Sequence, residues 1–478
     1  MIRNTLLATA CLVLCVPACA QEADFDVTAD ITARGAQTNT LANAIWAKAE
    51  LGYIETETTA LLQQTLEDEG FTIQAGVADI PTAFVARFRQ GARGGPVIGI
   101  LAEMDALPGF SQGPVPEKQA MEGMTSGHAC GHHLFGAGSV SAAIAVKRWL
   151  EATGTPGEIR LYGTPAEEGG SGKVYMVRAG LFDDLDVALH WHPGDANSAD
   201  IPTNNANRSA KFRFSGISTH AASAPEKGRS ALDGVEAMNM MVNMLREHTP
   251  DRTRIHYVIT AGGLAPNVVP DFAEVYYYVR HPDPDYLREL WPRIEAAAEG
   301  AATGTGTEVE REIIHGNLSL LPNRALQEVL HEEMSKLGGV EYSADERAFA
   351  LSLQKTLPDD GDPLEQAVEI QPQREFFTAG STDVGDVSWT APTGGVRTAT
   401  WVPGTSAHSW QAVAAGGTSI GEKGMDLAAK TLANTAVRLY SEPALLDAAR
   451  TEFNERRGPG YEYEPLLGDR EPPLDYRQ

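Results

Sequence analysis

From about residue 96 the chain alternates short apolar runs with helical segments, and that rhythm admits few folds. Residues 97–101 read as a strand, 138–150 as a helix opened by small residues, 158–162 as a strand, 173–179 as a helix and 186–189 as a strand. A β-α-β-α-β order predicts an α/β domain, a mostly parallel sheet with helices on both faces. Ahead of it, residues 40–69 read as helices. Behind it the order changes to strand 211–215, helix 230–248, strands 254–260 and 272–279, helix 285–303 and strand 308–314. That βαββαβ order predicts a ferredoxin-like α+β module inserted into the first domain. The first domain resumes near Pro322, with helices at 323–337 and 424–440. The expected division is a leader at 1–20, a first domain in two parts at 21–207 and 321–445, the inserted module at 208–320, and a tail at 446–478. Beyond Gly458 the tail is rich in Pro, Gly and charge, and is expected to be loosely ordered.

The leader reads as an export signal. Arg3 supplies a positive start, residues 6–16 are apolar but too short to span a bilayer, and Ala18-Cys19-Ala20 is an A-x-A cleavage site. Val16-Pro17-Ala18-Cys19 also resembles a lipobox, which would make Cys19 a lipid anchor. No other apolar run approaches the roughly 20 residues of a spanning helix. The expectation is a periplasmic or secreted protein with no membrane span, at most lipid-anchored. A net charge of −26 argues against nucleic acid or anionic lipid as a partner. Cys11, Cys15 and Cys19 all lie in the leader, so after export Cys130 has no intramolecular disulfide partner.

Cys130 lies in Gly127-His128-Ala129-Cys130-Gly131-His132-His133, just ahead of a predicted helix. Gly131 allows a tight turn, so that Cys130 and His132 can face one ion. A helix N-terminus favours the thiolate, and thiolate with imidazole suits a borderline-soft cation such as zinc. Taken alone, the loop also fits a buried free cysteine beside surface histidines. Glu167-Glu168 follows a strand and is flanked by glycines. It reads either as a solvated charge pair or as one metal-binding carboxylate beside one free to move a proton. His190 and His192 end another strand and face the same side in a β conformation. His408, far along the chain, would rate alone as a surface loop residue. Together these thiol, imidazole and carboxylate groups are enough for two ions that share ligands. A cysteine hydrolase with Cys130 as nucleophile and His132 as base would leave Glu167, Glu168 and His408 without roles. A non-catalytic metal- or ligand-binding protein is a further alternative.

The segments GHACGHH, TPAEEGG, DVALHWHP and GTSAHSW resemble, in order, the dinuclear metal amidohydrolases that include aminoacylases, hippurate hydrolase, auxin-conjugate hydrolases and carboxypeptidase G. STDVGDVSW, 381–389, and the WHP element are most similar to the branch containing the B-type subunit of aminobenzoyl-glutamate hydrolase. The resemblance runs from about residue 40 to 440. It implies hydrolysis of the amide bond of an N-acyl or N-aroyl amino acid by a metal-activated water. A dipeptide is the alternative substrate. The implied cofactors are two divalent metal ions, zinc or manganese, held by Cys130, His132, Glu168, His192 and His408. His192, six residues on from Asp186, fits the ligand position rather than His190. Glu167 is implied as general base and Asp105, in Glu103-Met104-Asp105-Ala106-Leu107-Pro108, as a supporting aspartate. Glu103 stands where more distant relatives carry a ligand histidine, and His133 where an Asp or Asn is usual. The inserted module is implied to be a lid and dimerisation domain. His220 would reach the reacting carbonyl, often across a homodimer, and Asn267 and Arg280 would hold the substrate carboxylate. A separate second subunit is also compatible with the resemblance.

Overall fold

The computed structural model describes residues 25–477 apart from positions 93 and 360. The expected leader, with Cys19, lies outside the described residues. The chain opens with helices α1 (Val27–Lys48) and α2 (Thr56–Asp68). Helix α1 starts well before residue 40 because Asp26 caps it, its carboxylate accepting the N–H groups of Thr28 and Ala29.

Strands β1 (Thr72–Ala75) and β2 (Phe84–Gln90) form an antiparallel pair that the sequence pattern does not announce. Then come β3 (Val97–Glu103), α3 (His132–Thr153), β4 (Gly157–Thr164), α4 (Gly172–Arg178) and β5 (Val187–Gly194). The inserted module follows as β6 (Ala206–Ser215), α5 (Ala231–Leu245), β7 (Arg254–Ala261), β8 (Phe272–His281), α6 (Pro284–Thr305) and β9 (Glu308–Asn317). The chain returns through α7 (Arg324–Leu337), α8 (Ala344–Gln354), α9 (Val384–Ser388), β10 (Thr393–Ala399), α10 (Trp410–Gly416), α11 (Ser419–Ser441) and α12 (Pro443–Arg457).

The main sheet has the order β1-β2-β4-β3-β5-β10. The four strands from β4 to β10 run parallel, and β1 and β2 add an antiparallel edge. Every residue of β3 and β4 is buried, as parallel strands covered on both faces must be. Helices α1, α3 and α11 pack against one another, and α3 buries nearly its whole length. Strand β10 is not expected from sequence because Gly394 and Gly395 interrupt its apolar run. Both glycines are needed there: a Cβ at 395 would lie 2.3 Å from His190 Nε2, and one at 394 would lie 2.9 Å from Leu330.

The inserted module has the order β7-β8-β6-β9, antiparallel throughout, with α5 and α6 packed on it. This is the ferredoxin-like arrangement that the βαββαβ order predicts. Phe212, Phe214, Tyr277 and Trp291 fill its core.

The C-terminal tail differs from expectation. Helix α12 buries Phe453, and Leu466 and Leu467 are buried beyond it. Arg178 Nη1 donates to the carbonyls of Gly468 at 3.0 Å and Arg470 at 2.7 Å. Composition suggested disorder, but anchored backbone carbonyls and two buried leucines hold the segment across the molecule.

Candidate metal centre

Helix α3 begins at His132, directly after Gly131, rather than at residue 138. Gly131 has φ +75°, and a Cβ there would lie 2.7 Å from Pro193, so only glycine fits this turn. The turn brings Cys130 and His132 to one end of the parallel strands. His192 comes from within β5, not from beyond its end, and its Nδ1 donates to the Pro193 carbonyl at 2.7 Å. That leaves His192 Nε2 facing Cys130 Sγ at 3.4 Å. His408 Nε2 lies 3.0 Å from Glu168 Oε1.

Two groups of donor atoms result, Cys130 with His132 and His192, and Cys130 with Glu168 and His408. Within each, all donor atoms lie within 4.8 Å of one another, and the sulfur of Cys130 belongs to both. Sulfur, imidazole nitrogen and carboxylate oxygen form a donor set for a borderline cation. The electrostatics agree. Hydrogen bonds to Cys130 and Glu168 push His408 up to about 10, so its surroundings favour a positive charge at this position. Nε2 of His132 and Oε2 of Glu103 approach to 3.1 Å, yet each is buried without a hydrogen-bond partner among the described residues. Buried donor atoms left in this way fit a cation.

Asp105 ties the two groups together. Its Oδ1 accepts from His132 Nδ1 at 3.0 Å and its Oδ2 from the Glu168 N–H at 2.9 Å. Burial works against its charge, but the His132 hydrogen bond holds the carboxyl below the usual range. Orientation of a ligand imidazole by a carboxylate is a recurrent way to set its tautomer and basicity.

The Glu167-Glu168 loop is strained and heavily braced. Ala166 and Ser171 in this loop, and His408 facing it, have left-handed φ, at +57°, +62° and +57°. The buried Glu55 carboxylate accepts the Ala166 N–H at 2.8 Å, and Tyr53 Oη donates to the Gly170 carbonyl at 2.5 Å. From the tail, Tyr476 Oη and Arg477 Nη2 both donate to the Glu168 carbonyl, at 3.2 and 2.6 Å. Glu167 itself is desolvated and faces Glu103 and Glu168, which together raise its pKa well above the usual carboxylate value.

Behind Glu167 lies a buried ion network. Lys173 Nζ is 2.6 Å from Glu103 Oε1 and 2.7 Å from Asp383 Oδ1, and all three side chains are at most 1% exposed. Burial disfavours the ammonium, but Asp383 and Glu103 outweigh that and keep it charged. Glu103, His132 and Glu167 meet the spacing of a third cation site. Lys173 already neutralises Glu103 there.

Cys130, His132, Glu167, Glu168, His192 and His408 thus converge, with Asp105 beneath them. His128 and His133 do not join them. They are buried neutral rings hydrogen-bonded to the carbonyls of Ile45 and Gly416, and burial lowers His133 to about 3. His190 lines the cavity beside the site but belongs to neither donor group. His220 and Asn267 lie on neighbouring exposed loops of the inserted module, joined by the Ala221 N–H to Asn267 carbonyl bond at 3.0 Å, and neither lines the cavity. His220 Nδ1 accepts from the N–H groups of Ala222 and Ser223 at 3.2 Å, so its proton sits on Nε2. Arg280 reaches the cavity edge, its Nη1 3.5 Å from the carbonyl of Ala379. Sequence reasoning missed Lys173, Asp383 and the tail residues as builders of this site. A lysine opening the mostly apolar run Val174-Tyr175-Met176-Val177 after Glu-Glu-Gly-Gly, and a glutamate ending the otherwise apolar strand β3, were the available signals for the network.

Comparison with known proteins places this geometry. Residues 99–357 match the model of peptidase family M20/M25/M40. The chain is 41% identical over 443 residues to the B-type subunit of the p-aminobenzoyl-glutamate hydrolase of Escherichia coli K12, covering 87% of this chain and 91% of that one. It is 32% identical over 426 residues to the Xaa-Arg dipeptidase of Mus musculus, covering 86% and 88%. A solved Bacillus subtilis structure described as a dinuclear metal binding peptidase shares the fold, with a TM-score of 0.59 at 18% identity over 86% of this chain and 99% of that one. The family match spans more than half of the chain and the similarity to the Escherichia coli hydrolase nearly all of it, so this protein belongs to peptidase family M20/M25/M40 and is a hydrolase of amide bonds.

Proposed function

We propose that the chain cleaves the amide bond of N-acyl or N-aroyl amino acids, conjugates of the aminobenzoyl-glutamate kind foremost, with two divalent ions, zinc or manganese. The observation that carries this reading is the pair of donor groups sharing Cys130, with the desolvated carboxyl of Glu167 alongside. When bound, the ions supply an acidified water and polarisation of the amide carbonyl. Cys130, His132 and His192 would hold one ion, and Cys130, Glu168 and His408 the other. Glu167 accepts the proton of the attacking water and returns it to the leaving nitrogen, and a carboxyl with a raised pKa suits both directions of that transfer. His220, with its proton fixed on Nε2, donates to the developing oxyanion. Asn267 and Arg280 hold the substrate carboxylate, Arg280 by its planar fork.

His220 and Asn267 stand away from the cavity of their own chain, which favours a homodimer in which these two loops serve the partner's site. Met240, Met241 and Met244 of α5 and Tyr257, Val258 and Ile259 of the edge strand β7 are exposed together, an apolar face suited to a second copy. A distinct second subunit is the alternative, since the Escherichia coli relative is named as one of two subunit types of its enzyme. No helix among the described residues is long and apolar enough to cross a membrane. The A-x-A site and the cysteine at 19 support export to the periplasm or beyond, with acylation of Cys19 as a variant of the same route.

The test is hydrolysis of a panel of N-acyl and N-aroyl amino acids and dipeptides by protein stripped with chelator, then reloaded with zinc, manganese or cobalt. Metal-restored cleavage of acyl amino acids is expected. Cleavage of dipeptides alone would move the assignment to a dipeptidase, the activity named for the mouse relative. Silence from protein carrying two ions per chain would overturn the reading.

A further inference from the structure

We infer that Arg397 selects substrates whose amino-acid part carries a second carboxylate, as in acyl-glutamate or acyl-aspartate conjugates. This inference rests on the proposed amide hydrolysis and names the substrate class of that site.

The cavity of about 320 Å³ that opens from the donor cluster is rich in carboxylates: Glu103, Glu167, Glu168 and Asp200 all line it. Arg397 is the one arginine or lysine among its described lining residues. It lies on β10 directly in register with His192 on β5, the two strands running parallel. Side chains paired laterally in a sheet point to the same face, so Arg397 projects on the face where His192 holds its place beside Cys130. Strands sit about 4.8 Å apart, and the arginine stem carries the guanidinium further along the cavity wall.

The guanidinium has no ion-pair partner and makes no side-chain hydrogen bond among the described residues, and the residue is exposed to the cavity. Asp200, a carboxylate of the same lining, already has Arg374 at 3.7 Å. Arg397 is exposed and spends its charge on no ion pair among the described residues, on a wall otherwise acidic in a chain of net charge −26. An arginine held free beside a candidate ion site is positioned for an anionic ligand, and its planar donors match a carboxylate in two-point fashion. Arg280, at the cavity edge by Ala379, is assigned to the α-carboxylate, which leaves Arg397 for a side-chain carboxylate. Hydroxyls of Thr378, Ser381 and Thr382 and the ring of Phe376 complete a wall of the right polarity for a short acidic side chain next to an acyl or aryl group.

The experiment compares N-benzoyl-glutamate with its isostere N-benzoyl-glutamine on the metal-loaded full chain, for wild type, Arg397→Gln and Arg397→Lys. The readout is the ratio of kcat/KM for the two substrates. Wild type should favour the glutamate conjugate by about 10- to 100-fold, the range of a charge-assisted contact. Arg397→Gln should collapse the ratio towards one, and Arg397→Lys should restore part of it. A wild-type ratio near one, or a ratio that survives Arg397→Gln, overturns the inference. Calorimetric binding of the same two compounds needs no turnover. Discrimination in binding that disappears with Arg397→Gln supports the inference even if no amide is cleaved, in which case the proposed hydrolysis fails on its own. Equal affinities in wild type overturn the inference whatever the rates.

Discussion

The guanidinium of Arg477 donates to the backbone carbonyl of Glu168 at 2.6 Å, joining residues 309 positions apart in the chain. Tyr476 donates to the same carbonyl at 3.2 Å and packs edge-on against Tyr53, which in turn holds the carbonyl of Gly170. The C-terminal segment is therefore part of the scaffold that fixes the two glutamates. A charge-assisted hydrogen bond of this kind is worth about 1.5–3 kcal/mol. Arg477→Ala is expected to cost stability of that order and, at temperatures where the variant stays folded, to lower kcat by about tenfold or more. Wild-type kcat in the folded variant would show that the strap acts only on global stability.

Lys173, Glu103 and Asp383 form the buried ion network next to Glu167. Lys173→Met leaves Glu103 and Asp383 buried without their cation, and breaking a buried pair in this way costs about 3–5 kcal/mol. Urea denaturation should show the midpoint falling by that amount over the slope. Asp383→Asn, which keeps the Lys173–Glu103 contact, should cost distinctly less. A Lys173→Met variant as stable as wild type would mean the network is dispensable to the fold.

Glu167→Ala removes the group assigned to proton transfer without touching a metal donor. General acid–base groups contribute typically about 10²–10⁴-fold. The variant should lose at least that much in kcat and still bind its full metal complement by elemental analysis. Loss of metal together with activity would make Glu167 a ligand instead.

The donor set was legible in sequence because each motif packs its chemistry into adjacent residues. Cys130 and His132 flank one glycine, Glu167 and Glu168 are neighbours, and His192 ends an apolar run. What was not legible is what depends on distant pairing. Lys173 meets Asp383 across 210 positions, and neither residue's local sequence names its partner. Strand β10 was hidden because Gly394 and Gly395 are small for the sake of Leu330 and His190, so packing erased the apolar pattern by which strands are recognised. The tail misled through composition. Charge and proline predict disorder only where no buried contact compensates, and Leu466, Leu467 and Tyr476 supply such contacts. The three histidines of the GHACGHH motif are all buried, and hydrogen bonding divides them: His128 and His133 are tied to backbone carbonyls, while His132 turns to the donor cluster.

Asp386 gives a pH dependence of stability separate from the metal donors. It accepts from the Leu318 N–H at 2.9 Å and Tyr463 Oη at 2.8 Å, but burial outweighs these bonds and pushes its carboxyl up to about 7. An unfolded aspartate titrates near about 3.9. Between those values the folded chain holds a proton that the unfolded chain has released, so this group's contribution is full below about pH 4 and is lost as pH rises through about 7. Asp386→Asn carries no such proton. The stability of wild type relative to this variant should therefore fall between pH 5 and pH 8 by roughly a few kcal/mol, as read by denaturation at both values. A constant difference would mean Asp386 is ionised throughout.

His220 presents the sharpest question of assembly. Its loop is exposed, its tautomer is set by Ala222 and Ser223, and it stands away from the cavity that holds Glu167 in the same chain. If the imidazole serves the partner's site, a chain lacking His220 and a chain lacking Glu167 complement each other. In a mixed dimer, the site that keeps Glu167 receives His220 from the other chain, and the second site lacks both groups. Random pairing of two equal populations makes half of the dimers mixed, with one working site in two, so activity should return to about a quarter of wild type. His220→Ala and Glu167→Ala proteins, each inactive alone, are to be dissociated, mixed and reassociated, and assayed against the unmixed controls. Recovery requires that the two groups come from different chains. No recovery from dimers shown to have exchanged would place His220 in its own chain's site, reached by closure of the inserted module, or outside the reaction altogether.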